Sequence, residues 1–203
     1  MRSFLRFGAA LALAGVAACA LAQSALPRII RGAIVSVDGA NVAVRTRAGE
    51  SINLRLKDGQ EITAIVPAAL ADIKPGVFVG AAAMPAGDGA LKAMEVHIFP
   101  EAQRGTGEGF RPFDLAPGST MTNANISAVI DTVDGPKLTL TYKGGEQTIL
   151  VDKATPIVTF APGEAGDLKP GAEIDIFRPS ATSDGAYEAA RILVGRNGTK
   201  VPM

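Results

Sequence analysis

Five short motifs occur twice in this chain, in the same order. Val37-Asp38-Gly39 returns as Val133-Asp134-Gly135, and Gly49-Glu50 returns as Gly145-Glu146. Asp72-Ile73-Lys74-Pro75-Gly76 returns as Asp167-Leu168-Lys169-Pro170-Gly171, and Asp88-Gly89-Ala90 returns as Asp184-Gly185-Ala186. Ala93-Met94-Glu95-Val96 is echoed by Ala189-Ala190-Arg191-Ile192. The offsets are 96, 96, 95, 96 and 96, which reads as one unit written twice. The single slip must fall in a turn or bulge, because inside a strand it would rotate every later side chain to the other face.

Within each copy the apolar residues alternate with polar ones. Val42, Val44 and Thr46 alternate with Ala43, Arg45 and Arg47, Ile52, Leu54 and Leu56 with Asn53 and Arg55, and Leu138, Leu140 and Tyr142 with Thr139, Thr141 and Lys143. That period of two describes strands with one buried face. Asp-Gly, Gly-Gly and Pro-Gly pairs separate the runs as turns. Pro67–Ile73 predicts one or two helical turns, and 162–168, with Gly163 and Gly166, a poorer one. The expected fold is all-β: two tandem small Greek-key barrels of the oligonucleotide-binding type, five to six short strands each, with a short helical turn per copy. The domain reading is a leader over 1–22, barrels over 23–99 and 125–195, a connection over 100–124 and a tail over 196–203. Copies of this size have marginal cores alone, so the two are expected to pack as a pair.

These motifs resemble an exported bacterial small β-barrel domain family of unassigned function. The resemblance covers most of 31–98 and 126–194 and lies in turns and core positions. It implies the fold and export, and it carries over no catalytic residue.

Arg2 and Arg6, the apolar run Phe7–Ala18 and the small residues of Ala20-Leu21-Ala22 form the three parts of a secretory signal peptide. The apolar stretch 7–22 is 16 residues, short of the ~20 that span a bilayer. Val16-Ala17-Ala18-Cys19 resembles a lipoprotein signal and offers a competing cut, with Cys19 as a lipid anchor; cleavage after Ala22 fits the small-residue rule better. The expected location is the periplasm, with no membrane span after the leader is removed. Cleavage would leave 18 basic against 20 acidic side chains, a formal charge of −2.

From Pro100 to Thr122 the alternation stops, in a stretch holding Arg104, Phe110, Arg111 and Phe113. Long structureless connections are uncommon in compact domains and are usually functional or loose. Three readings compete: a packed strap whose phenylalanines plug the seam between barrels, a site whose arginines hold an anionic group against a phenylalanine wall, and a phosphate loop at Gly105, Gly107 and Gly109. The last lacks the Gly-Lys-Ser/Thr and strand-to-helix context it needs.

Glu95 and His97 point to one face of a strand, two residues apart, as a metal or proton-transfer pair would. A solvated strand face is the favoured expectation, because one histidine and no retained cysteine leave too few strong ligands. Met84, Met94 and Met121 are scattered as core fillers are. With no tryptophan, two tyrosines and no positive excess, nucleic acid is not an expected partner. The expected function is a non-enzymatic binding or scaffold module of the envelope, needing no cofactor and contacting an envelope protein or small anionic ligand. The alternative is an accessory metal- or solute-binding protein of an envelope transport system.

Overall fold

The computed structural model describes residues 26–87 and 89–202, so the expected leader and Cys19 lie outside the described residues. The first half forms β1 (Ile29–Asp38), β2 (Asn41–Thr46), β3 (Ser51–Arg55), β4 (Ile62–Pro67), β5 (Phe78–Pro85) and β6 (Leu91–Ile98). After β7 (Gly109–Pro112), the second half forms β8 (Thr120–Ile130), β9 (Lys137–Tyr142), β10 (Gly145–Leu150) and β11 (Ile157–Pro162). It ends with β12 (Glu173–Phe177), β13 (Ser180–Ala181), β14 (Tyr187–Glu188) and β15 (Arg191–Gly195). The chain is all-β, as the alternation requires, and its helices are single 3₁₀ turns. Among the described residues, no helix is long and apolar enough to cross a membrane.

Five strands close a barrel in the order β8-β9-β10-β6-β5, with β5 pairing back to β8. Every neighbour is antiparallel except β10 and β6, which run parallel at Ile149↔Leu91. Residues 78–98 therefore complete a barrel begun by residues 120–150, so this barrel is not built from one copy of the sequence pattern. The mirror assignment appears on the other side. There β1, β2 and β3 are joined by β12 along Ile30↔Ile176, by β15 beyond β12, and by β14 at Tyr187↔Leu54. The boundaries expected at 99 and 125 divide the sequence pattern, and the closed barrel takes strands from both sides of them.

The crossing happens at β4 and β11, which pair antiparallel with Ile65 facing Phe160. One face of this central pair sends Ile157 into the closed barrel's core, which holds Val79, Val96, Ile126, Leu138 and Ile149. The same face sends Ile62 into the other core, around Ile34, Val44, Leu54, Ile174 and Ile192. The opposite face carries Ile65, Val158 and Phe160 into a third cluster with Leu193, Phe177 and Val201. This seam ties the closed barrel to the other core: the two share the β4–β11 ladder and a third apolar layer.

The matched Asp-Leu/Ile-Lys-Pro-Gly motifs make the crossing reciprocal. Asp72 and Asp167 each accept from a backbone N–H three residues back, Ala69 and Glu164, both at 2.9 Å. Each caps one 3₁₀ turn, Leu70–Asp72 and Ala165–Asp167. The glycines of 162–168 therefore do not weaken the second turn, because the aspartate cap decides it. Gly76 then donates to Ile126 O and Gly171 to Ile34 O, both at 2.8 Å, so each turn docks on the other half. In the structure the one-residue slip falls in a hairpin: three residues separate Thr46 from Glu50 and two separate Tyr142 from Gly145, so Glu50 corresponds in register to Gly145 and the Gly-Glu match is one residue out.

Candidate functional site

The connection is ordered. Glu101–Gln103 make a 3₁₀ turn, and β7 pairs with β8 through Phe110↔Thr122 and Arg111↔Met121. Phe113 is pinned beyond it by its N–H to Ser119 O, 2.9 Å. Strand alternation sends neighbours apart: Phe110 is 43% exposed and away from the seam, while Arg111 reaches over it. Arg104 also stands elsewhere. Its guanidinium bonds Glu101 at 2.6 Å through two contacts, Gly76 O at 3.0 Å, and Asn125 Oδ1, so it clasps the 3₁₀ turn onto β8.

Glu95 and His97 are not on a solvated face. Glu95 is fully buried and His97 is 3% exposed, because the barrel exchange lays this face of β6 beneath the connection and against β11. His97 Nδ1 lies 3.0 and 3.3 Å from the two Glu95 oxygens, so a carboxylate at Glu95 takes its hydrogen bond from Nδ1–H and Nε2 is turned to the other side. Phe99 and Phe160 meet the imidazole edge-on, at centroid separations of 4.8 and 5.4 Å. Met94 is the bulged residue, skipped where Ala82↔Glu95 gives way to Ala83↔Ala93, so Leu91 and Ala93 rather than Met94 face the barrel core.

The free side of His97 opens into a cavity of about 160 Å³ walled by Phe99, Phe113, Phe160 and Phe177. Asn123, 4% exposed, reaches the same cavity from β8. Its Nδ2 donates to Thr106 O at 2.9 Å, which fixes the amide and leaves Oδ1 buried with no partner. A buried acceptor without a donor costs free energy unless something supplies one. The cavity continues outward into a second of about 330 Å³, and the two share Ile29, Arg111, Phe113 and Phe177.

The outer chamber is cationic. Arg28, Arg111 and Arg178 line it, with Arg191 at the inner edge stacked 4.8 Å over the Phe177 ring. Burial and the neighbouring Arg28 hold Arg111 below the usual arginine range, and its Nη1 donates to Gly107 O at 2.8 Å. Arg178 sits at φ +48°, a strained value for a side-chain residue, and its N–H donates to Arg28 O at 2.9 Å. Among the described residues, no carboxylate lies within ion-pair distance of these four arginines. The one carboxylate lining the chamber, Asp114, is taken by Arg31 at 2.8 Å, and Arg31 also stands 3.7 Å from the buried Asp175. Arg31 spends its short contact on Asp114, so desolvation prevails at Asp175 and pushes its carboxyl up to about 8.

The structure thus joins two candidates that the sequence kept apart: Arg111 and Phe113 of the connection share a cavity with His97, backed by Glu95. It leaves Arg104 and Phe110 outside. No third His, Cys, Asp or Glu joins the pair as a metal ligand among the described residues. Sequence reasoning missed Asn123, Phe160, Phe177 and the arginines 28, 178 and 191. One signal was available, Gly80 inside the apolar run Phe78–Ala83, since a strand glycine marks a close approach. The chain matches no protein-family model, no curated protein and no solved structure, so the resemblance to an exported barrel family rests on the turn and core motifs alone.

Proposed function

We propose that the protein is an exported, non-enzymatic binding module of the bacterial envelope, and that its seam takes a small anionic ligand. The observation that carries this reading is the gathering of Arg28, Arg111, Arg178 and Arg191 around one groove in which the one lining carboxylate among the described residues, Asp114, is ion-paired to Arg31. The whole chain carries no net charge, so this positive field is local and focused by low-dielectric phenylalanine walls. Arginine forks suit carboxylate and phosphate oxygens, and Arg178 accepts backbone strain where it lines the groove. A larger cavity of about 350 Å³ beyond Arg31 is less suited. Its arginines 31 and 47 already serve Asp114 and Val201 O.

The reading is non-enzymatic because, among the described residues, Glu95 is the side chain bonded to His97, and no hydroxyl or thiol is held on Nε2 as a nucleophile. The metal-binding alternative finds no support at Glu95 and His97, which no third His, Cys, Asp or Glu joins among the described residues. Calorimetric titration with acetate, benzoate, glucuronate and inorganic phosphate tests the proposal. At least one anion is expected to bind, and Arg111→Gln with Arg178→Gln to weaken it ten-fold or more. No binding by any anion would redirect the search to an envelope protein.

A further inference from the structure

Resting on the anion reading of the seam, we infer that the ligand is a hydroxyaryl acid: one aromatic ring with a carboxylate at one end and a hydroxyl at the other. The inner chamber sets the ring. At about 160 Å³ it matches the ~150 Å³ apolar cavities that hold a single benzene ring, and its phenylalanines present both faces and edges.

The polar atoms set the two ends. Asn123 Oδ1 is buried and unpartnered, and His97 Nε2 lies beside it. Both atoms lie over Gly80, where a Cβ would lie 2.0 Å from Nε2 and 2.8 Å from Oδ1. The unpartnered Oδ1 asks for a donor, which a phenolic hydroxyl supplies and a plain arene does not. At the other end Arg111 faces the outer chamber. The carboxylate end lies toward the outer chamber, where Arg28 and Arg178 stand with Arg111. A sugar acid offers donors as well, but it would place hydroxyls against Phe99, Phe160 and Met121, which have no polar atom to receive them.

The test is calorimetric titration of the purified protein with 4-hydroxybenzoate, benzoate, 4-fluorobenzoate and glucuronate. 4-Hydroxybenzoate is expected to bind at least ten-fold more tightly than benzoate, and 4-fluorobenzoate, similar in size but without a proton to donate, no better than benzoate. Asn123→Leu should remove the advantage of 4-hydroxybenzoate over benzoate, bringing the ratio of the two affinities to about one. Arg111→Gln should weaken both acids together. Equal affinity for 4-hydroxybenzoate and 4-fluorobenzoate, or tighter binding of glucuronate than of either, overturns the hydroxyaryl assignment and leaves the anion reading standing. Absence of binding by all four acids overturns the hydroxyaryl assignment, and the anion reading falls with it only if acetate and inorganic phosphate also fail to bind. The ligand series needs no variant, so a misfolded Asn123→Leu would not blur the outcome.

Discussion

Gly80 lies directly opposite His97 across β5 and β6, and a Cβ added to it would come within 2.0 Å of the imidazole Nε2. The glycine is thus the floor on which the histidine rests. Gly80→Ala should push the ring off its place between Phe99 and Phe160 and cost about 1–3 kcal/mol, as overpacked cores do. Urea unfolding measures the loss. Unchanged stability would mean that the imidazole swings away freely.

Glu95 is buried, and among the described residues its side-chain partner is His97. Glu95→Gln replaces a carboxylate that only accepts with an amide that can also donate, so the hydrogen on Nδ1 is no longer specified. The expected cost is about 1–3 kcal/mol. Long-range ¹H–¹⁵N spectra of the imidazole should report a single Nδ1–H tautomer in the wild-type protein and a mixture in the variant. A mixture in both would break the link between Glu95 and the free Nε2.

Asp175 gives the fold a pH dependence of definite sign. Its carboxyl holds its proton to about 8 in the folded state. An unfolded aspartate releases it near ~4. Between those values the folded state binds the extra proton, so stability falls as pH rises, by at most about 1.4 kcal/mol per pH unit from this group. Urea midpoints at pH 5, 6, 7 and 8 should decline, and Asp175→Asn, which cannot titrate, should flatten the decline. A slope of the same size in the variant would assign it to other groups.

The turns and the barrel-facing residues were legible because local chemistry sets them. Val42, Val44, Leu138 and Leu140 alternate and are buried, and the two Pro-Gly turns recur because each carries the same aspartate cap. The seam was not legible, for a topological reason. Period-two counting put Glu95 and His97 on the face away from the barrel core, and it is indeed the other face. What covers that face comes from β11 and the connection, and no local pattern reports a pairing as distant as Val158↔His97. Arg28, Arg178 and Arg191 read as ordinary strand-end charges until the exchange of strands brings them to one groove.

That exchange makes a prediction about half of the chain. Residues 23–99 include β1, β2 and β3, whose barrel partners β12 and β15 lie in the other half, and β5 and β6, which close around β8 and β10. Alone, the fragment has no second half to receive these strands. Two fragments can supply each other, because the central antiparallel pair has Ile65 facing Phe160 at a position where a second β4 would set Ile65 against Ile65. The fragment should therefore be unfolded when dilute and fold as a dimer when concentrated, with a melting temperature that rises with concentration. Sedimentation equilibrium with circular dichroism follows both changes. A folded monomer at all concentrations would show that one copy closes its own barrel, and that the exchange between halves is a choice made by the connection rather than by β4 and β11.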